Sequence, residues 1–438
     1  MEKKVIILGA GLTGLSCAYH LKKDYLIFEK EDRAGGLCRS EKANNFTFDY
    51  TGHLLHFHNP EIETFVKKLL GNNLAKHKRS SWVYSHKVYT SYPFQANLYG
   101  LPKKVIKECL LGFLETRCSR SNSQLSRLSF HNWVLQNFGY GFAKHFFFPY
   151  NQKVWTVTLD ELTCDWLNPF VPQPKLTEVI EGALTNQNRA FGYNVYFYYP
   201  RFGGIGSLIE GLSKRIGNLH LSSPVTKVYP QNRFVEILGK EKIPYSHLVS
   251  TMPLPELVKI IEPCPTEVRQ AGKRLRWNSV SCINLGINRI VETHRHWIYF
   301  PEKRFIFYRV GFYHNFSSAL VPKGCSSMYI EIAHRPNEFF DTKKIMPKVY
   351  NDLRNCGILR ESDKILVTNV LEMPYAYVIY DKEHLSALTI IKRFLRANGI
   401  FSIGRFGAWR YSYMEESILD GKNIAEILNS KSEILNKF

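Results

Sequence analysis

Val5-Ile6-Ile7-Leu8, Gly9-Ala10-Gly11-Leu12-Thr13-Gly14, an apolar segment to Leu21, and Tyr25-Leu26-Ile27-Phe28 ending on Glu29 decide the fold of this chain. They read as strand, glycine turn, helix, strand and acid. A dinucleotide needs that order. The first glycine permits a tight turn, the second admits a pyrophosphate, and the third lets helix and strand pack closely. The helix N-terminus then turns its positive dipole end toward the phosphates. Glu29 is placed to accept hydrogen bonds from a ribose diol.

Six residues on, Gly35-Gly36 precedes Leu37-Cys38-Arg39-Ser40. Nicotinamide domains rarely need a second glycine turn so soon after the ribose acid. In FAD enzymes of the glutathione-reductase type that turn runs past the flavin and its phosphates, so FAD is the expected cofactor. The expected fold is α/β: an FAD-binding Rossmann-like domain of that type, carrying an inserted helical lobe and an antiparallel-sheet lobe. Strand and helix patterns assign 1–60, 200–260 and 392–438 to a discontinuous cofactor domain. They assign 61–199 to a mainly helical substrate lobe and 261–391 to a sheet-rich one. The Ser- and Arg-rich stretch Arg117 to Ser129 is expected to be a mobile loop.

The 438 residues exceed one domain, and 45% hydrophobic with 22% charged content excludes a disordered chain. No apolar run reaches the roughly 18 residues of a membrane span. Met1-Glu2-Lys3-Lys4 before an apolar stretch looks like a signal peptide, but the glycine turn sits where the apolar core belongs, so no cleavage is expected. Nine scattered cysteines without CxxC spacing argue against a disulfide framework or a metal site and fit a reducing cytoplasm. A net charge of +20 favours an anionic partner: a phosphorylated substrate, or an anionic membrane face engaged peripherally. The basic residues are spread out, which argues against nucleic acid.

Several segments carry candidate chemistry. His53 follows a strand of the cofactor domain, where a loop passes a flavin face. Tyr92-Pro93-Phe94-Gln95 and Pro149-Tyr150-Asn151-Gln152-Lys153-Val154-Trp155 both combine flat rings with amides, as a nucleobase pocket does. Arg309, Arg405 and Arg410 offer planar forks for a diphosphate. Tyr375, Tyr411 and Tyr413 add neutral donors. No GxSxG, P-loop or HExxH occurs, so the chemistry falls to the cofactor.

These segments, with Gly52-His53, Trp297-Ile298-Tyr299-Phe300-Pro301, Phe307-Tyr308-Arg309 and Gly404-Arg405-Phe406-Gly407-Ala408-Trp409-Arg410-Tyr411, resemble the UDP-galactopyranose mutase family in order and spacing, to about residue 428. The eukaryotic type is the closer match, with a bacterial-like C-terminal segment. The resemblance implies that Gly9, Gly11, Gly14, Glu29, Gly35, Gly36 and Arg39 bind FAD, with Arg405 contacting the flavin and His53 beside its ring. It implies that Tyr92, Phe94, Gln95, Asn151 and Trp155 hold uridine, and that Arg309, Tyr375 and Tyr411 hold the diphosphate. Phe202 stands where the eukaryotic type has an arginine before Gly203-Gly204, and Arg201 lies one residue earlier. Met414 and Glu415 are expected near the sugar.

The implied activity interconverts pyranose and furanose forms of a UDP-sugar, UDP-galactose foremost, within cell-surface glycan synthesis. His53, Arg309 and Arg405 are the expected catalytic residues. The flavin works reduced, its N5 attacking the anomeric carbon, with NAD(P)H a candidate external reductant. The alternatives are an FAD oxidoreductase of the amine-oxidase or protoporphyrinogen-oxidase type and a mutase of another nucleotide sugar.

Overall fold

The first strand, β1 (Lys4–Leu8), lies between Tyr25–Phe28 (β2) and Lys242–Ser250, parallel to both. Leu219–His220 extends the sheet beyond β2, and Ile400–Ser402 extends it beyond Lys242–Ser250. Val5, Ile6, Ile7 and Leu8 are all buried, because a parallel strand is covered on both faces. An antiparallel pair, Val225–Tyr229 and Phe234–Ile237, continues from the far end of Lys242–Ser250. The structure is a computed structural model, and it describes residues 4–118, 128–167, 170–187, 194–238, 242–338 and 340–430. The loop expected at Arg117 to Ser129 falls largely outside them.

Helix α1 (Leu12–His20) packs on the C-terminal helix Met414–Asn429. Ser16 Oγ donates to the Ile418 carbonyl at 2.7 Å, and a Cβ on Gly421 would lie 2.4 Å from the Thr13 carbonyl. The two ends of the chain therefore close one lobe, built around an FAD-binding type of sheet as the sequence indicates.

A second sheet runs Ile365–Ile379, Arg276–Ile287, Ser326–His334, Arg309–Phe312, Trp297–Tyr299, Ser81–Ser85 and Val88–Ser91. Its last two strands come from the stretch expected to be helical. Their turn, His86-Lys87, takes positive φ at both residues (54° and 63°) without the Asn-Gly signature of such hairpins. The long Arg276–Ile287 strand lies in the stretch expected to be sheet-rich. Its buried Asn278, Ser279, Ser281 and Asn284 hide the apolar pattern, each satisfied by a hydrogen bond: Asn278 Oδ1, for instance, accepts from Tyr377 N at 2.9 Å. The quoted segment Phe307-Tyr308-Arg309 enters a strand only at Arg309. The helices Lys103–Cys118, Phe130–Phe142, Phe148–Trp155 and Leu176–Leu184 form the remaining lobe.

Candidate active site

A cavity of about 1100 Å³ runs from the N-terminal glycine turns to the second sheet. Its near end follows from local geometry. Gly9 adopts φ +94°, which turns the chain at the end of β1. A Cβ on Gly14 would lie 2.0 Å from the Gly9 carbonyl, so Gly14 serves close packing and does not line the cavity. A Cβ on Gly11 would meet nothing within 4 Å. Gly11 is thus free to let a ligand approach the start of α1, where it caps without a side-chain hydrogen bond. The second turn lies against the first: Gly35 N donates to the Ala10 carbonyl at 2.8 Å, and Gly35 and Gly36 line the same space. Glu29 also lines it, its carboxylate accepting from Ala10 N at 2.8 Å and Glu31 N at 3.1 Å.

Five of the residues lining this cavity carry a buried polar atom with no partner among the described residues: Arg39 Nε, His53 Nδ1 and Ser412 Oγ, with Asn194 Oδ1 and Trp297 Nε1. Together with the open space at Gly11, they fit a bound dinucleotide. Burial, and next the positive charge of Arg405, push His53 down to about 4, so its ring is neutral at physiological pH. Arg405 donates to the carbonyls of Ser412 and Ala376 and lies 4.9 Å from the Tyr411 ring centroid.

Asp49, four residues before His53, anchors this turn. Its carboxylate accepts from Ser40 Oγ at 2.5 Å, Tyr199 Oη at 2.6 Å and Ile205 N at 3.3 Å, while its carbonyl accepts from Tyr313 Oη at 2.7 Å. A Cβ on Gly204 would lie 2.6 Å from Asp49 Oδ1, so the 200–206 loop needs a glycine there to reach the carboxylate.

The far end of the cavity is cationic and rich in tyrosine. Arg309 donates twice to Glu331, at 2.7 Å each, and Glu331 is fully buried. This bidentate clamp fixes the guanidinium plane at the cavity wall. Tyr92, Tyr299, Tyr377 and Tyr411 line the wall with it, as does Arg79, whose guanidinium lies 5.6 Å from the Tyr92 ring. Tyr92 and Tyr299 rings are 5.0 Å apart, and Tyr377 stacks on Tyr411 at 5.9 Å. Burial, then Tyr377, pushes the Tyr411 phenol up to about 12, so it remains a donor.

Not every expected residue reaches the cavity. Phe94 stacks on Phe146 at 5.1 Å inside the helical lobe. Gln95 donates to the Pro172 carbonyl at 2.7 Å, while its Oε1 is buried with no described partner. Asn151 Oδ1 accepts from Trp155 Nε1 at 3.2 Å, and Trp155 packs on Trp166 at 4.7 Å. These four form core behind Tyr92, where rings gain more apolar contact than at a wet wall. Tyr375, expected at the diphosphate, lines the cavity but gives its hydroxyl to Glu256 and stacks on Trp277. Tyr377 stands near Arg309 instead. Arg410 pairs with Asp420 at 3.0 Å, away from the cavity. Met414 lines it, whereas Glu415 turns away to accept from His58 N and Asn59 N at 2.8 and 2.7 Å. Phe202 is 64% exposed, and Arg201 is exposed beside it.

Sequence reasoning did not single out Arg79, Tyr299, Tyr377 or Glu331. Tyr299 stood within a quoted segment, and Tyr377 lies two residues beyond Tyr375. Arg79 and Glu331 gave no local signal.

The model of the flavin containing amine oxidoreductases matches residues 12–429. A crystal structure of reduced UDP-galactopyranose mutase superposes with a TM-score of 0.93 at 24% identity, covering 99% of this chain and 96% of that one. A candidate protoporphyrinogen oxidase of an Exiguobacterium species superposes at 0.76 with 14% identity, covering 98% and 99%. At these identities the likeness is one of fold. A hydroxysqualene dehydroxylase of Sinorhizobium fredii is 36% identical over 74 residues, which are 16% of this chain. That match spans only 18% of the dehydroxylase.

Proposed function

Since this chain belongs to the flavin containing amine oxidoreductase family, we propose that it holds FAD and acts as a mutase of a UDP-sugar, UDP-galactose foremost, interconverting its pyranose and furanose rings. The observation that carries this reading is Arg309, clamped by buried Glu331 amid Tyr92, Tyr299, Tyr377 and Tyr411. Such a wall suits an anionic diphosphate. An amine oxidase, the alternative that the family favours, takes a cationic substrate, which Arg79 and Arg405 would repel.

Gly9, Gly11 and the start of α1 would receive the pyrophosphate of FAD, Glu29 its ribose, and Gly35, Gly36 and Arg39 the flavin side. When bound and reduced, the flavin supplies the nucleophile that parts the sugar from its nucleotide. Arg309 counters the charge on the departing diphosphate, and because Glu331 already fixes its fork, little reorganisation is needed. The phenols of Tyr299, Tyr377 and Tyr411 donate to phosphate oxygens, and burial keeps that of Tyr411 protonated. Neutral His53 offers Nδ1 as a hydrogen-bonding group without adding a charge to the site. Tyr92 gives the uracil a flat surface, and the unmet acceptor of Gln95 lies behind it. Aromatic walls keep the detached sugar and UDP together and exclude water. Nine cysteines, none in a disulfide, suit the cytoplasm as its compartment.

Purified protein, reduced with dithionite and given UDP-galactofuranose, is expected to yield UDP-galactopyranose by chromatography. No product under reduction overturns the mutase reading, and equal rates in oxidised and reduced protein overturn the role of reduced flavin. Arg309→Ala is expected to lower UDP affinity at least tenfold while the protein stays yellow.

A further inference from the structure

We propose that Lys153 is a positioning residue that holds the diphosphate-facing hairpin against the helical lobe and thereby sets affinity for the nucleotide. This rests on the mutase reading of the same site. Lys153 lies on the helix Phe148–Trp155, and its Nζ donates to the carbonyls of Phe300 at 2.6 Å and Glu302 at 3.0 Å. Those carbonyls belong to the segment that joins strand Trp297–Tyr299 to strand Arg309–Phe312. The two strands pair with Tyr299 opposite Arg309. One turn back on the helix, Tyr150 lies 5.5 Å from Tyr299 and 6.3 Å from Tyr308, ring to ring. Lys153 and Tyr150 thus grip the hairpin from one helix face, at its connection and at its arms.

The grip is built for geometry. The Phe300 and Glu302 carbonyls point at a single amine, and Phe300 is fully buried, so losing the amine leaves an acceptor unmet. Burial lowers the pKa of Lys153 to about 7, with Asp352 and Glu302 opposing and Lys348 adding to the shift. Even the neutral amine retains two N–H groups for its two carbonyls. The amine lies apart from the cavity wall, so its effect on a ligand passes through Tyr299 and Arg309.

Lys153→Met keeps the length and packing of the stem and removes the donors. Hydrogen exchange is expected to rise at the amides of 297–312 in this variant, with Arg276–Ile287 unchanged. UDP affinity is expected to fall about tenfold, with flavin content unchanged and KM affected more than kcat. Lys153→Gln, which keeps one shorter donor, should lie between, and it serves if the methionine variant does not fold. Wild-type protection at 297–312 in a folded variant overturns the proposal, as does wild-type UDP affinity. If the wild-type protein itself does not bind UDP, the mutase reading fails, while hydrogen exchange still decides whether Lys153 holds the hairpin.

Discussion

Replacing Asp49 with asparagine tests whether the turn before His53 is held by an ionised carboxylate. Asp49 is 1% exposed. Burial raises its pKa from 3.8 to about 6, against the pull of hydrogen bonds from Ser40, Tyr199 and Ile205 N. A carboxyl raised in this way stabilises the fold when protonated. Its contribution is complete below the unfolded value and is lost as pH rises through about 6. About two pH units at about 1.4 kcal/mol each give a full span of about 3 kcal/mol. Between about pH 7.5 and about pH 5 the wild type regains roughly 1.4 kcal/mol of this. Asparagine has no such titration. Unfolding both proteins in denaturant at the two pH values therefore isolates the group, since other titrations cancel in the difference. The stability difference is expected to move by about 1.4 kcal/mol toward the wild type at the lower pH. A constant difference, or a move the other way, would refute a buried ionised Asp49. The carboxylate also receives Ile205 N, and Ser40 Oγ receives Gly206 N at 2.8 Å. Asp49→Asn should consequently speed tryptic cleavage at exposed Arg201.

The two helix-turn glycines should separate in the same pair of assays, thermal unfolding and visible flavin absorbance. Gly11→Ala, whose Cβ meets nothing within 4 Å, is expected to change apoprotein stability by under about 0.5 kcal/mol yet cut flavin retention at least tenfold. Gly14→Ala puts a methyl 2.0 Å from the Gly9 carbonyl and should cost about 3 kcal/mol, flavin or none, so a wild-type melting temperature would disprove its packing role. Among the tyrosines, Tyr377→Phe is expected to weaken UDP binding about tenfold in calorimetric titration, whereas Tyr375→Phe, whose hydroxyl serves Glu256, should leave it unchanged. The reverse order would move the diphosphate away from Arg309.

The first βαβ unit was legible in the sequence. Strand, turn, helix and acid follow one another within 29 residues, and each step there is a local steric or capping demand. The sequence also marked the segments that carry Arg309, Tyr92 and Tyr411. It did not reveal that Phe94, Gln95, Asn151 and Trp155 would pack as core, because rings and amides have the same pattern at a wall and behind one. Only the tertiary structure paired Arg309 with Glu331 and brought Asp49 to a loop 156 residues away. It also turned the Tyr375 hydroxyl to Glu256 and stacked Tyr377 on Tyr411. Between Asn278 and Val280 on one strand, Tyr377 and Met373 on its partner are four residues apart, a bulge that includes Pro374. Such choices depend on register and on the satisfaction of buried charges between distant segments, and no local spacing encodes either.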